Sequence, residues 1–202
     1  MKIEIYDTTL RDGIQGCGVD FSPEDKISVL HILDRLGVTY IEVGMLTDQA
    51  SAEYCRRIAD EKLQTAVPVV FGRTCRPGEA CRDNASLTAM ARCPLRAAAI
   101  YGKSWLYQVD EVLHTTAEEN LRMIWDTIRF LKSAGKEVFF DAEHFFDGYS
   151  DNAEYAMRVV DTAFTAGADR VILCDTNGGM LPDTIGLVVS AVIQQYGIGK
   201  VG

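Results

Sequence analysis

Six short apolar runs, each followed by an amphipathic stretch of helical period, constrain the fold of this chain more than any other feature. They are Ile3–Tyr6, Tyr40–Val43, Ala66–Phe71, Ala97–Tyr101, Glu137–Phe140 and Arg170–Cys174. Strict alternation of such runs with helices predicts an α/β fold with a parallel sheet, either doubly wound or closed into a barrel. The helix signals agree. Ser22-Pro23-Glu24-Asp25 offers a cap, a proline for the first turn and early acids ahead of Ile27, Leu30, Leu33 and Leu36. Thr116-Ala117-Glu118-Glu119 reads as a capping box before Leu121, Ile124, Ile128 and Leu131, Ser150 or Asp151 as the next helix start, and Pro182 as first-turn residue of the last helix. Gly37, Gly135 and Gly167 each follow a helical stretch and precede an apolar run, where a left-handed helix end calls for glycine.

The polar residues beside these runs choose between the two architectures. Asp7, Arg11 and Asp12 follow the first run and Glu42 lies on the second. Arg73 follows the third, Lys103 the fourth, Asp141, Glu143 and His144 the fifth, and Asp175, Thr176 and Asn177 the sixth. A doubly wound sheet gathers its ligand groups at one switch point, whereas a barrel draws them from the ends of many strands around one mouth. A TIM (β/α)8-type barrel is therefore expected, represented by about six βα units. Gly13-Ile14-Gln15-Gly16-Cys17-Gly18 lacks the GxGxxG order and no GxxxxGK[ST] occurs, so nucleotide-loop readings are excluded.

With 202 residues and 48% hydrophobic content, residues 1–202 suit one domain with a sizeable core. The net charge of -9 argues against nucleic-acid and anionic-membrane partners. The opening MKIEIY has no secretory pattern, which predicts a cytoplasmic protein. The cysteines at 17, 55, 75, 81, 93 and 174 show no metal-ligand spacing and read mostly as reduced core thiols, with Cys75 and Cys81 either paired or in a loop.

The most chemically loaded stretch is Asp7-Thr8-Thr9-Leu10-Arg11-Asp12-Gly13-Ile14-Gln15. An acid beside an arginine at a strand end suits cation binding next to carboxylate recognition. This stretch resembles the signature of the DRE-TIM metallolyases, the metal-dependent Claisen-condensing and retro-aldol barrels that include isopropylmalate, homocitrate and citramalate synthases and HMG-CoA lyase. Phe71-Gly72-Arg73-Thr74, Gly102-Lys103-Ser104-Trp105, Phe140-Asp141-Ala142-Glu143-His144-Phe145-Phe146-Asp147-Gly148-Tyr149 and Asp175-Thr176-Asn177-Gly178-Gly179-Met180-Leu181-Pro182 resemble the (R)-citramalate synthase branch.

The resemblance implies a set of roles. Asp12 matches a metal ligand, Arg11 the arginine that steadies the keto acid and its developing oxyanion, and Glu42 either a further acid of the site or the partner that orients Arg11. Glu143 matches a catalytic glutamate that deprotonates the acetyl-CoA methyl or relays through water. Thr176 matches a hydrogen-bond donor to the substrate carboxylate, and Gln15 is expected beside the substrate. The implied cofactors are a divalent ion (Mg, Mn or Zn) and acetyl-CoA as co-substrate; the implied partners are a 2-keto acid, pyruvate by preference, and a second copy in a homodimer. His144 is a metal ligand or a packed, gating residue, and Tyr101, Trp105 and Tyr107 either contact the coenzyme or pack. After Glu42 the chain reads Val43-Gly44-Met45-Leu46-Thr47-Asp48, unlike the branch's usual loop. The family's His-x-His metal ligands belong to a seventh strand, which would begin near Val201. A closed barrel takes roughly 250 residues, so the chain by itself is expected to have open edges and little condensation activity.

Overall fold

A computed structural model describes residues 3–202, and Met1 and Lys2, ahead of the first apolar run, lie outside the described residues. The strands are β1 (Tyr6–Asp7), β2 (Tyr40–Met45), β3 (Val67–Arg73), β4 (Ala97–Lys103), β5 (Glu137–Glu143) and β6 (Arg170–Leu173). Between and after them lie α1 (Pro23–Arg35), α2 (Gln49–Ala59), α3 (Ala85–Arg92), α4 (Leu106–Glu111), α5 (Ala117–Ser133), α6 (Phe145–Asp151), α7 (Ala153–Ala166) and α8 (Pro182–Tyr196). The sheet is wholly parallel and its order is β1-β2-β3-β4-β5-β6. Without a reversal of strand order there is no doubly wound switch point, and the sequence expectation of a barrel wall holds.

Period-two alternation sorts each strand's side chains onto two faces. Ile41, Val43, Val70, Ile100, Val138, Phe140 and Val171 pack outward on the helices, against Leu30, Ile58, Met90, Ile124 and Val160. The inward face is a separate layer of Tyr40, Val69, Phe71, Ala97, Ala99 and Phe139, joined by Tyr6, Tyr101 and Ile172. Small Ala97 and Ala99 leave room for the rings opposite. Phe139 meets Tyr6 edge-on at 5.7 Å and Tyr40 at 4.8 Å, contacts between β5 and the far side of the sheet that require strong curling. Arg170 at the start of β6 also donates to Glu4, just before β1, at 2.8 Å. Between β1 and β6 an apolar cavity of about 390 Å³ remains, lined by Tyr6, Tyr40, Phe139, Ile172 and Val201. Val201 forms a parallel bridge with Val171, so the next position in the wall begins to fill there.

Helix starts follow the capping chemistry with two corrections. Ser22 and Asp25 form a complete capping box with Pro23 in the first turn. Thr116 accepts from the Glu119 amide, but the Glu119 carboxylate accepts from Arg122 and the Gly78 amide, so the expected box has one arm. The helix expected to start at Ser150 or Asp151 starts at Ala153 with Asn152 as cap, because Phe145–Asp151 forms a helix of its own. Gly37, Gly135 and Gly167 have the positive φ their positions predict. The cysteines are free thiols: Cys75 and Cys81 are buried and unpaired, both beside the Thr127 hydroxyl, and Cys17 is exposed.

Asp34 in α1 is buried and accepts from the amides of Gln64, Thr65 and Ala66 at 2.8–2.9 Å, which fixes the approach to β3. Burial alone would raise its pKa, but these amides and nearby His31 hold it below the usual value. Its contribution is complete above the unfolded pKa of about 3.9 and fades as pH falls through the lower folded value. Asp34→Ala should cost about 2–3 kcal/mol through three unpaired amides, read by urea denaturation at neutral pH. Asp34→Asn should also remove part of the stability loss seen on acidification below about pH 4.

Candidate active site

The turn after β1 is built from backbone and side-chain oxygens. The Thr8 carbonyl accepts from the amides of Arg11, Asp12 and Gly13, and the Asp7 carboxylate accepts from the amide and hydroxyl of Thr9. Asp7 is thereby occupied in the turn, an Asx-type use of the residue. The reversal returns Arg11 over the barrel mouth, where Nε donates to Glu42 Oε2 at 2.5 Å and Nη1 donates to Asp12 Oδ1 at 3.0 Å. The guanidinium lies 4.0 Å from the Phe71 ring centroid, a stacking that also limits its movement.

Glu42 is fully buried and accepts a second hydrogen bond, from the Tyr6 hydroxyl, at 2.7 Å. Geometrically it is the partner that orients Arg11. Burial pushes its carboxyl up, against the lowering effect of Arg11 and Tyr6. Burial works to lower Arg11, but its bond and charge contact with Glu42 leave it above its ordinary value. The Tyr6 hydroxyl is driven far up by burial and by Glu42, so it stays a donor.

A second charged pair lies at the ends of β4 and β5. Lys103 and Glu143 are register neighbours, and Lys103 Nζ stands 2.5 Å from Glu143 Oε2 in a charge contact outside hydrogen-bond geometry. The chain is held there by its backbone: the Glu143 carbonyl accepts from the Ser104 amide and hydroxyl, and Asn120 donates to the Lys103 carbonyl. His144 follows with φ 57°, a left-handed conformation uncommon outside glycine. Its amide donates to Thr176 Oγ1 at 2.8 Å, and its Nδ1 faces Asp147, which accepts from Asn177. Since Thr176 Oγ1 is an acceptor in that bond, its own O–H remains available to donate. Trp105 lies between His144 and Tyr107, with ring centroids 6.0 and 5.0 Å away, and its Nε1 donates to Asp151. The carboxylate of Asp175 accepts from Gly179 and Met180, a turn role like that of Asp7.

The structure thus brings Arg11, Asp12 and Glu42 together as one group and Lys103, Glu143, His144 and Thr176 as a neighbouring one. Gln15 is exposed on a short 3-10 turn and faces a groove of about 500 Å³ shared with Arg11, Lys26, Met45 and Tyr54. Asp12 is 63% exposed at its side chain. Among the described residues no group of three or more His, Cys, Asp or Glu is placed to hold a metal ion. Asp12 is then a single available ligand, too few for the coordination a divalent ion takes.

Sequence reasoning left one residue of the mouth without a role. Asp141 lies on the inner face of β5, in register with Tyr101 and Ile172, is 8% exposed, and its Oδ1 has no hydrogen-bond partner. Burial, then the Glu42 charge, raise its pKa to about 8 against the opposing effect of Arg11. The signal was its parity: two residues beyond inward Phe139 and two before Glu143.

Removing the Glu42 carboxylate strands both Arg11 and the Tyr6 hydroxyl. Glu42→Ala should destabilise the chain by about 3 kcal/mol and Glu42→Gln by less, since the amide oxygen still accepts. Urea denaturation of the two variants side by side checks the order; equal stability of Glu42→Ala and the unaltered chain would contradict the pair's role.

Relatives are similar over the full length of the chain. It is 42% identical to "(R)-citramalate synthase" of Aquifex aeolicus and 40% identical to that of Sulfolobus acidocaldarius, in each case over all 202 residues, which span 38% of the relative. The chain therefore spans well under half the length of the curated relatives it matches. In three dimensions it is similar to the HMG-CoA lyase of Bacillus subtilis, with a TM-score of 0.81 at 17% identity over 99% of this chain and 67% of the other, a likeness of fold. The HMGL-like family model matches residues 2–198, and the chain belongs to that family.

Proposed function

We propose that this chain carries the reactive mouth of an acyltransferase that condenses acetyl-CoA with pyruvate to give (R)-citramalate. The observation that carries this reading is the Arg11 guanidinium held at the mouth by Glu42 and Phe71, with Nη2 free of hydrogen bonds among the described residues. In this reading Arg11 and the Thr176 hydroxyl receive the keto-acid carboxylate and oxyanion, in keeping with the geometry a planar guanidinium offers. Glu143 removes a proton from the acetyl-CoA methyl, and Lys103 beside it offsets negative charge as the enolate forms. The enolate carbon attacks C2 of pyruvate, the carbonyl electron pair moves to oxygen, and that oxygen takes up a proton. Water then hydrolyses the thioester, releasing CoA thiol and citramalate.

Asp12 is assigned as a ligand for a divalent cation, Mg, Mn or Zn. The described donors do not complete that site, and no step above runs through it. Gln15, in the groove beside Arg11, is assigned to substrate contact. A homodimer in the cytoplasm completes the reading; no described helix is long and apolar enough to cross a membrane.

The test is a thiol-release assay with acetyl-CoA and a panel of 2-keto acids, run on the 202-residue chain and on the chain joined to the remaining barrel strands of a citramalate synthase relative. Little release is expected from the chain itself. From the chimera, pyruvate-dependent release is expected to fall at least 100-fold in Arg11→Gln and in Glu143→Gln, the scale of an oxyanion donor or a positioned base. Preference for a branched or longer keto acid would move the assignment to an isopropylmalate or homocitrate synthase. Cleavage without condensation would move it to a lyase. Full activity of the 202 residues in isolation would refute the expectation that this piece is insufficient.

A further inference from the structure

Asp141 differs from the other carboxyl groups at the mouth in what surrounds it. Glu42 accepts from Arg11 and Tyr6 and Asp12 accepts from Arg11, while Glu143 Oε2, which also makes no hydrogen bond, has the Lys103 ammonium 2.5 Å away. Asp141 Oδ1 is sealed from solvent and accepts from nothing. The strands on either side bring Tyr101, whose ring is stacked on Phe71 at 5.6 Å, and Ile172, neither of which supplies it with a hydrogen bond. The titratable and charged groups that face it are Arg11 from the turn after β1, Tyr6 on β1, Glu42 on β2, Glu143 on its own strand and Cys174 just past β6. The two cations in contact with these carboxylates, Arg11 and Lys103, are matched by Glu42 and Glu143. An ionised Asp141 would be an unmatched buried anion beside two others, an arrangement that strongly favours the neutral acid. A buried polar group with no partner also costs stability, and such groups persist where a ligand completes them.

We propose that Asp141 is a further substrate-binding residue, which donates its carboxylic O–H to an oxygen of the acceptor keto acid on the inner wall of the barrel. The proposal rests on the acyltransferase reading, since it takes its ligand from there, and it adds a group with a distinct property. Arg11 and Lys103 attract any anion, whereas a neutral acid must find an acceptor oxygen within reach of one fixed point. It favours a small acceptor whose oxygens lie close to the aromatic wall of Phe71 and Tyr101. The sign of its pH dependence is opposite to that of a carboxylate that binds by charge: as pH rises through about 8 the O–H is lost, a buried negative charge replaces it, and an anionic acceptor is repelled.

The test is the affinity of the 202-residue chain for pyruvate, by calorimetry or by line broadening of labelled pyruvate, at pH 6.5 and 9.5. The unaltered chain should bind at least tenfold more weakly at the higher pH. Asp141→Asn, which keeps a donor that does not titrate, should bind with little change across that range. Asp141→Leu should lose about tenfold at pH 6.5, the scale of one hydrogen bond, and should be at least as stable to urea because an unpartnered buried group is gone. Infrared spectra at pH 7 should contain a protonated carboxyl band that is missing from Asp141→Asn. Equal pyruvate affinity in the unaltered chain and a folded Asp141→Leu would overturn the proposal and leave the acyltransferase reading intact. If Asp141→Leu does not fold, a pH step that persists in Asp141→Asn overturns it instead. Failure of both the unaltered chain and its chimera with the remaining barrel strands to bind pyruvate at pH 6.5, with Asp141 protonated, would count against the acyltransferase reading and remove the proposal with it.

Discussion

The buried pair between Arg11 and Glu42 is the interaction on which the arrangement of this mouth depends. A carboxylate placed at 0% exposure inside a barrel wall has to be matched, and a single guanidinium with one phenol provides the match. Each end of the pair is fixed by a different structural device. Glu42 sits on a paired central strand, while Arg11 arrives through a turn in which one carbonyl, that of Thr8, receives three amides. The rest of the charged mouth is arranged around it: Asp12 takes the Nη1 face, Phe71 lies under the guanidinium, and the Phe71–Tyr101 stack extends the wall toward Asp141.

Much of the fold was legible in the sequence because its two periodicities are clean. Apolar β-branched runs and 3.6-residue helical faces alternate without ambiguity, and the glycines at 37, 135 and 167 mark three helix ends. Strand ends were less legible for a physical reason. An apolar run stops at the first polar side chain, but strand pairing is a property of the backbone and continues. Arg73, Lys103, Asp141 and Glu143 are therefore residues of strands and do not belong to the loops that follow. Conversely β1 pairs over only Tyr6–Asp7, although the apolar run begins at Ile3. The helix Phe145–Asp151 carries no capping residue at its start, since His144 enters it from a left-handed conformation, so no sequence signal separated it from the helix after it.

Within the site, residue types were legible and pairings were not. The Asp-Arg pattern after the first strand drew attention to Arg11 and Asp12 as candidates, yet whether Glu42 faces a ligand or Arg11 is a matter of distance, and 2.5 Å places it on Arg11. Asp7 and Asp175 are equally acidic and equally close to strand ends, but backbone donors occupy both. Asp141 reads as one acid among several until strand parity points it inward and the neighbouring residues are seen to leave it without a donor.

The link between Glu4 and Arg170 bears on how such a chain assembles. Its partners are 166 positions apart, so almost the whole chain must be in place before that contact can form. Each strand can add to its predecessor through one intervening helix, a local step with modest loop-closure entropy, while the curvature that brings Tyr6 against Phe139 has to wait for the sheet to be nearly complete. The contacts that bend the sheet into a wall are therefore those with the largest sequence separation, and they carry the largest loop-closure cost. The same long-range ionic link thus joins the first and last strands of the sheet only once nearly all of the chain between them is in place.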